Sequence, residues 1–235
     1  MKILSSFLFS VLLLCACQPQ SDQQSLEGQW QFALDPDDKG VKEQWYSQSL
    51  GDTIHLPGSL QEQGYGYDVN LKTQWTGLVV DKSWYNSPVY EKFRQPENMK
   101  VPFWLNPDKH YVGVAWYQKE IDIPVAWSNR PVELELERTH WETILFLDGK
   151  KVGKHESLST PYRYTFKELT PGKHTLTLRV DNRLNVAVGV NAHSVSDHTQ
   201  SNWNGVVGTI ACSSSNFLQR SWIAFSTSCS FPTRI

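Results

Sequence analysis

The stretch Val132-Glu133-Leu134-Glu135-Leu136-Glu137 indicates the fold class of this chain, because it alternates strictly between apolar and charged residues. Successive side chains of a β-strand point to opposite faces, so the stretch predicts a strand with one buried and one solvated face. Residues 174–180 repeat the pattern, with Leu176, Leu178 and Val180 on one face. Such half-buried strands are typical of antiparallel sheets.

Turn signals separate the strand-like runs. Asp148-Gly149 lies between residues 144–147 and residues 150–152, and Asp-Gly in that position predicts a tight hairpin. Pro171-Gly172 predicts another turn. Further runs occupy residues 28–34, 53–56 and 116–123. With many short strands, no evident amphipathic helix and no internal repeat, the sequence predicts an all-β antiparallel sandwich of the jelly-roll kind.

The charge and the aromatic content of the chain indicate which kinds of binding partner are plausible. The 235 residues carry 22 Lys and Arg against 24 Asp and Glu, for a net charge of −2, and no basic stripe suggests a nucleic-acid partner. The 10 Trp, 9 Tyr and 10 Phe fit either the core of a sandwich or flat platforms for the apolar faces of sugars. Many of them fall in residues 60–110, an aromatic-rich insertion with little periodicity. Its Trp75, Trp84 and Tyr85 are expected either to contact a sugar or to pack against the sandwich.

The N-terminus has the features of an export signal. Lys2 precedes an apolar run over residues 3–14, which is too short for a permanent membrane helix. Leu14-Cys15-Ala16-Cys17 resembles the bacterial lipobox, which implies a signal peptide over residues 1–16 and a lipid on Cys17. The alternative is a plain secretory signal with a chance cysteine. We expect an exported protein, lipid-anchored in the envelope of a Gram-negative bacterium, on the periplasmic side or at the cell surface.

The remaining chain divides into three predicted parts. Residues 17–25 are polar and are interpreted as a flexible tether, and residues 26–210 as the sandwich. Residues 211–235 are rich in Ser without alternation, which suggests a disordered end or translation in a wrong reading frame. Cys212 and Cys229 could form a disulfide in an exported protein. No Cys/His spacing suits zinc, and no metal or cofactor is implied.

Four stretches together resemble a known family. They are Ile54-His-Leu-Pro-Gly58; Ala115-Trp-Tyr-Gln-Lys-Glu-Ile-Asp-Ile-Pro124; Leu136-Glu-Arg-Thr-His-Trp-Glu-Thr143 with Leu147-Asp-Gly-Lys150; and Val180-Asp-Asn-Arg183 with Ser196-Asp-His-Thr-Gln-Ser-Asn-Trp-Asn-Gly-Val-Val-Gly208. In this order and spacing they resemble the N-terminal sugar-binding domain of glycoside hydrolase family 2, whose members include β-galactosidases, β-glucuronidases and β-mannosidases. The resemblance covers residues 26–210 and implies a galactose-binding-like jelly roll.

The resemblance also implies where the chemistry takes place. Family members cleave O-glycosyl bonds by double displacement with two glutamates carried by a (β/α)₈ barrel, a fold of about 250 residues. We therefore expect no catalytic residue among these 235, and a β-galactosidase-like activity in the full-length enzyme. A pair within the sandwich, drawn from Asp197 with His198, Glu137 with His140, and Glu142, is the alternative. For Glu137, the solvated face of a strand explains the carboxylate more simply.

The candidate substrate-binding residues are Asp197, Gln200, Asn202, Trp203 and Asn204. Their carboxylate and carboxamides suit sugar hydroxyls, and the indole suits the C–H face of a sugar ring. The resemblance implies a substrate-side role for Asp197 and Asn202, because the corresponding family loop helps to hold the terminal sugar. The alternative is that Trp203 anchors the core and that Asn204 begins a turn.

Three functional hypotheses remain open. The first is a fragment of a β-glycosidase whose ligand is the terminal β-linked sugar of a glycan. The second is a stand-alone carbohydrate-binding lipoprotein without hydrolase activity. The third is a purely structural envelope lipoprotein, which only Cys17 supports.

Overall fold

The computed structural model describes residues 22–77, 83–103, 105–157, 159–185, 188–189, 192, 196–197 and 202–214. The predicted signal peptide over residues 1–16, Cys17, Gln200 and residues 215–235, which include Cys229, lie outside the described residues, so the expectations on them stay predictions. Within the described ranges, no helix combines the length and the apolar character needed to cross a bilayer.

The described structure consists almost entirely of strands. They are β1 (Gln23–Ser25), β2 (Gly28–Asp35), β3 (Asp52–Leu56), β4 (Gly58–Ser59), β5 (Tyr67–Asp68), β6 (Lys109–His110), β7 (Val114–Ile123), β8 (Val132–His140), β9 (Glu142–Leu147), β10 (Lys150–Glu156), β11 (Tyr162–Phe166), β12 (Gly172–Asp181) and β13 (Gly205–Ser214). The helical segments described are short 3₁₀ helices at Trp45–Ser47, Gln61–Gln63, Ser83–Asn86, Pro88–Phe93, Pro96–Asn98 and Val125–Trp127.

The strands form two antiparallel sheets. The five-stranded sheet has the order β1-β13-β8-β11, with β4 also paired to β13, and the six-stranded sheet has the order β10-β9-β12-β7-β2-β3. Strands β5 and β6 form a separate small ladder within the aromatic-rich insertion. The predicted all-β antiparallel sandwich is confirmed.

Apolar side chains at alternate strand positions fill the space between the sheets. Val132, Leu134 and Leu136 of β8 and Leu176 and Leu178 of β12 are fully buried in one apolar cluster. Each such side chain contributes about 1.5–3 kcal/mol by leaving water. The alternating stretch of β8 therefore has the buried face and the wet face that its sequence predicts.

The hairpin between β9 and β10 also forms as predicted. Asp148 and Gly149 have φ values of 48° and 74°, and Lys150 lies opposite Leu147. Asp148 further accepts hydrogen bonds from the Thr175 amide at 2.8 Å and from Nδ1 of His174 at 2.7 Å, which fixes the turn to the start of β12.

The structure moves both predicted domain boundaries. β1 begins at Gln23, inside the segment predicted to be a tether, and pairs with the far end of β13. β13 continues to Ser214, four residues into the predicted tail. Cys212 belongs to the buried core, where burial raises the pKa of its thiol to about 12. The sequence Ala-Cys-Ser-Ser carries little intrinsic strand preference, so pairing with β8 and burial determine its conformation.

A second, smaller core lies on the outer face of the six-stranded sheet. Trp116 and Phe146 are buried there beneath the segment that follows β2, which contributes Trp45 and Tyr46. Asp35 anchors this segment, because its Oδ2 accepts hydrogen bonds from Nε1 of Trp116 at 2.9 Å and from the Gly40 amide at 2.8 Å. The segment that follows β2 therefore covers one side of the outer face of this sheet.

Candidate functional site

Three buried asparagines connect the loops at one end of the sandwich. Asn182 follows β12; its Oδ1 accepts from the Gly113 amide at 2.8 Å, and its Nδ2 donates to the carbonyl of Tyr111 at 2.8 Å and to Oδ1 of Asn202 at 3.0 Å. Asn204 Nδ2 donates to the Gly113 carbonyl at 3.1 Å. Carboxamides suit this place because each supplies both donors and an acceptor to backbone groups that water does not reach.

Asn204 lies wholly inside this network. It is 0% exposed, its Oδ1 accepts from the Tyr117 hydroxyl at 2.8 Å, and its Nδ2 also donates to the Val180 carbonyl at 3.2 Å. Burial raises the pKa of Tyr117 well above its usual value, so the phenol stays a donor. These contacts make Asn204 a fold-stabilising residue, and its predicted contact with sugar stays a prediction.

Asp197 joins the aromatic-rich insertion to the loop before β13. Its Oδ2 accepts from the Thr76 amide and its Oδ1 from the Asn202 amide, both at 2.7 Å, while its own amide donates to the Thr76 carbonyl at 2.8 Å. The residue is only 6% exposed, and Nε2 of His110 lies 3.7 Å from Oδ2. Its carboxylate therefore positions two loops, and a direct contact with sugar stays a prediction.

Trp203 is the predicted site residue with an aromatic surface at the edge of the fold. It is half-buried, and its ring stacks on His140 with 4.8 Å between centroids and 25° between planes. Burial lowers the pKa of His140 to about 4, against weaker opposing effects of a hydrogen bond with Asn202 and of the Asp197 charge. At neutral pH an uncharged imidazole thus supports the indole.

A surface cavity of about 510 Å³ opens beside Trp203. The residues that line it are Ser59, Gln61, Glu62, Pro107, Asp108, Arg138, Asn202, Trp203 and Val207. It brings together an indole, two carboxamides, two carboxylates and a guanidinium, so it can stack on a sugar ring and exchange hydrogen bonds with hydroxyls. The structure therefore brings Trp203 to the surface of the cavity. Asn202 also lines it but is 2% exposed, with its carboxamide bonded to Asn182 and Thr76, and Asp197 and Asn204 lie behind it.

Sequence reasoning did not identify Glu62, Asp108 and Arg138 as site residues. Arg138 had one local signal, since it follows Glu137 and so breaks the apolar-charged alternation. A register shift between Val207 and Ile210 accompanies that break, and Arg138 is exposed although an uninterrupted alternation would point it inward. For Glu62 and Asp108 no comparable signal exists, because only the folded insertion brings them near Trp203.

The acidic residues weighed as an alternative catalytic pair have structural partners. Oε2 of Glu137 accepts from the Thr209 amide at 2.7 Å. Glu142 pairs with Lys154 at 2.9 Å and with Arg179 at 3.3 Å. Throughout the described part of the chain, no three His, Cys, Asp or Glu side chains are grouped to hold a metal ion.

Of the aromatic candidates in the insertion, Trp75 packs within the protein. Its ring meets Phe103 edge-on at 5.3 Å and His110 at 4.8 Å. The backbone of Trp84 and Tyr85 lies in the 3₁₀ helix Ser83–Asn86, and their side chains are outside the described part.

The profile of glycosyl hydrolases family 2, sugar binding domain, matches residues 23–211. The chain belongs to glycosyl hydrolase family 2. The β-galactosidase of Halalkalibacterium halodurans is 30% identical to it over 175 residues, which cover 70% of this chain and 15% of that enzyme. The β-glucuronidase of Paenibacillus borealis is 22% identical over 162 residues, which cover 68% of this chain and 21% of that enzyme.

Solved family 2 structures share the fold. The crystal structure of Ruminococcus gnavus β-glucuronidase superposes with a TM-score of 0.55 and 17% identity, over 82% of this chain and 28% of that one. The same enzyme is known in complex with D-glucuronic acid. The chain spans about a fifth of the length of the curated relatives that it matches.

Proposed function

We propose that this chain is the sugar-binding part of a β-glycosidase that hydrolyses O-glycosyl bonds, and that the Trp203 cavity is its contact with carbohydrate. The observation that carries the proposal is the half-buried Trp203 ring, fixed on His140 at a cavity that also presents Arg138. In this proposal Asp197 and Asn204 act indirectly, by holding the loop that presents Trp203. The two catalytic carboxylates belong to a further part of the enzyme.

Among sugars, a neutral β-galactoside is our first proposal. Glu62 and Asp108 carry two negative charges at the cavity against one positive charge on Arg138. A uronate carboxylate would therefore meet net repulsion. The 30% identity to a β-galactosidase favours the same choice. A β-glucuronide is the substrate class to compare, because several relatives are named β-glucuronidase.

We also propose that the protein is exported and anchored by a lipid on Cys17, in the periplasm or on the cell surface. The support is the Leu14-Cys15-Ala16-Cys17 motif after a short apolar run. Metabolic labelling with a fatty-acid analogue tests it: the wild-type chain should incorporate label and Cys17→Ser should not. Label in the C17S variant would contradict the assignment.

The main test separates a part of an enzyme from a stand-alone binder. The purified chain should release no nitrophenol from 4-nitrophenyl β-galactoside or β-glucuronide, and turnover by the chain alone would contradict our placement of the catalytic carboxylates. Sequencing the DNA beyond codon 214 in all frames should then find a barrel-coding region. If none follows, the alternative of a stand-alone carbohydrate-binding lipoprotein replaces the proposal.

Where the barrel is present, the Trp203 cavity can be tested in the whole enzyme. Trp203→Ala should raise KM for the β-galactoside about 2- to 10-fold, which corresponds to one aromatic contact. Trp203→Phe should restore part of that loss, and Trp127→Phe, which lines neither this cavity nor the larger one on the other sheet, is the matched control. An unchanged KM in W203A would contradict the sugar contact.

A further inference from the structure

A second and larger cavity lies on the outer face of the six-stranded sheet. Its volume is about 840 Å³, against about 510 Å³ for the Trp203 cavity. The two cavities share no lining residue. Volumes of roughly 300–1,000 Å³ are those of ordinary ligand sites. This outer-face cavity takes no part in the function proposed above.

The floor of the outer-face cavity consists of amide and hydroxyl side chains and one carboxylate from three adjacent strands. Gln31 of β2 lies opposite Gln118 of β7, and Glu120 of β7 lies opposite Thr175 of β12. Cross-strand partners share one face of a sheet, so these groups form a single surface. Gln29, two residues before Gln31, extends the same face towards the start of β2.

The two central carboxamides of this floor are oriented by the fold. Nε2 of Gln118 donates to Oγ1 of Thr177 at 3.0 Å, and Gln118 is only 7% exposed. Oε1 of Gln31 accepts from Oγ of Ser49 at 3.1 Å and from the Leu50 amide at 3.2 Å. A ligand would meet amides whose rotamers are largely fixed, which lowers the entropy cost of binding.

Two walls enclose the floor. One is the segment around Tyr46, whose ring stacks on Phe146 with 4.5 Å between centroids and 5° between planes. The other is the Asp148-Gly149 turn. The walls approach each other closely, since a Cβ at Gly149 would lie 2.7 Å from Oγ of Ser47.

The charged groups that line the outer-face cavity already have partners in the protein. Nζ of Lys119 donates to the Gln29 carbonyl at 2.9 Å. Glu120 pairs with Lys173, and Asp148 with His174, both at 2.7 Å. Because these charges are balanced locally, the lining offers a ligand mainly amides and hydroxyls beside compensated ion pairs, a set that suits a neutral molecule rich in hydroxyls.

We propose that the outer-face cavity is a second carbohydrate site, which binds a neutral oligosaccharide segment apart from the Trp203 cavity. The choice of carbohydrate as the ligand rests on the proposed function, whereas the location of the site rests on the cavity itself. A site here would hold a glycan chain at a distance from the sugar that occupies the Trp203 cavity. With this second site, the domain would keep a polymeric substrate bound to the enzyme, in addition to contacting its terminal sugar.

The test is calorimetric titration of the full chain with three neutral probes: β-1,4-linked galactohexaose, xylohexaose and cellohexaose. The double variant Gln29→Ala with Thr175→Ala removes two side chains that make no hydrogen bond to any described residue, so the fold should persist. Loss of two neutral hydrogen bonds should weaken the bound probe about 5- to 100-fold. The matched control is Gln74→Ala with Thr165→Ala, two positions outside the cavity, which should keep the wild-type affinity.

Trp203→Ala separates this inference from the proposed function. Binding that survives W203A and fails in the Gln29/Thr175 double variant supports the outer-face cavity. Binding that fails in W203A and survives in the double variant overturns it and leaves the Trp203 cavity in place. Absence of binding by the wild-type chain also overturns it, whereas the proposed function is judged by hydrolysis and by KM.

A second measurement guards against loss of affinity through misfolding. In ¹H–¹⁵N spectra of the wild-type chain, the probe that binds should shift the amide signals of Gln29, Gln31, Gln118 and Thr175. Shifts confined to residues 202–207 would overturn the proposal, because they would place the oligosaccharide at the Trp203 cavity.

Discussion

Protonation of His140 should make this domain lose stability in mildly acidic solution. The imidazole is 5% exposed and lies beneath Trp203, and burial lowers its pKa from 6.5 to about 4. Between these two values the unfolded chain binds a proton that the folded chain does not. The free energy of unfolding therefore falls as the pH decreases from about 6.5 to about 4.

The size of this effect follows from the pKa difference. One pKa unit corresponds to about 1.4 kcal/mol, so the fall from 6.5 to about 4 amounts to about 3 kcal/mol over the whole window. Down to pH 5 about 2 kcal/mol should be lost. The carboxylates of Asp148 and Asp181 have lowered pKa values, and the stability that they add is lost at more acidic pH, below their ordinary value of 3.8. Measurements at pH 5 and above avoid these carboxylates, and comparison of the wild-type chain with a His140 variant, both of which keep His174, isolates the effect of His140.

The assay is urea unfolding followed by tryptophan fluorescence at pH 7, 6 and 5. We expect the wild-type chain to lose about 2 kcal/mol between pH 7 and pH 5, and His140→Gln to lose much less, whatever its absolute stability. His55→Gln, at an exposed position, should keep the wild-type slope. Equal slopes for wild type and H140Q would refute the argument that burial of a neutral imidazole controls this window.

Three further predictions concern the buried contacts. Asn204→Ala should cost about 2–5 kcal/mol in urea unfolding, because it leaves the Tyr117 hydroxyl and two carbonyls without partners in the core. Asp197→Ala should free the aromatic-rich insertion, seen as faster proteolysis within residues 60–110 at an almost unchanged melting temperature of the sandwich. Burial alone would lower the pKa of His174, but the Asp148 carboxylate and the Thr170 carbonyl outweigh it and raise that pKa above 6.5. Stability from His174 should thus be complete below pH 6.5 and decline as the pH rises through the folded pKa, and H174Q should remove that decline.

Matched variants define the controls for these three. Asn98→Ala lies outside the core and should cost less than about 1 kcal/mol. Asp37→Ala breaks an exposed pair with Lys39 and should leave proteolysis of the insertion unchanged. Asn204→Ala with the stability of N98A, D197A with wild-type proteolysis, or H174Q with the wild-type decline above pH 6.5 would each contradict the corresponding contact.

The parts of the fold that could be predicted are those set by patterns among residues close together in sequence. The alternation in β8 and the Asp-Gly hairpin depend on neighbours in sequence, and the structure has both. The wet face predicted for β12 is wrong, because Thr177 and Arg179 are also buried on the outer face of the sheet. β1 and the end of β13 could not be predicted, because Gln23 acquires strand geometry by pairing with Ser213, and Ser213 by pairing with Gln23 and with Glu133 of β8. Neither segment has a period of its own.

The candidate site also has one part that the sequence could predict and one part that depends on the fold. Composition alone pointed to the loop around Trp203, since it concentrates carboxamides, a carboxylate and an indole in a few residues. It could not tell which of them face solvent. Asp197 turns inward to the Thr76 amide, 121 residues away, and Asn204 turns inward to Tyr117, 87 residues away.

By itself, therefore, the sequence determined an all-β sandwich and predicted a loop whose side chains suit sugar hydroxyls, because strand period and side-chain type are properties of short segments. Tertiary structure alone decided that Trp203 lies at a cavity with Arg138 and that Asp197 and Asn204 support it from inside. Burial and hydrogen-bond partners depend on strands that are distant in sequence, and a buried amide or carbonyl without a partner is costly wherever its partner originates.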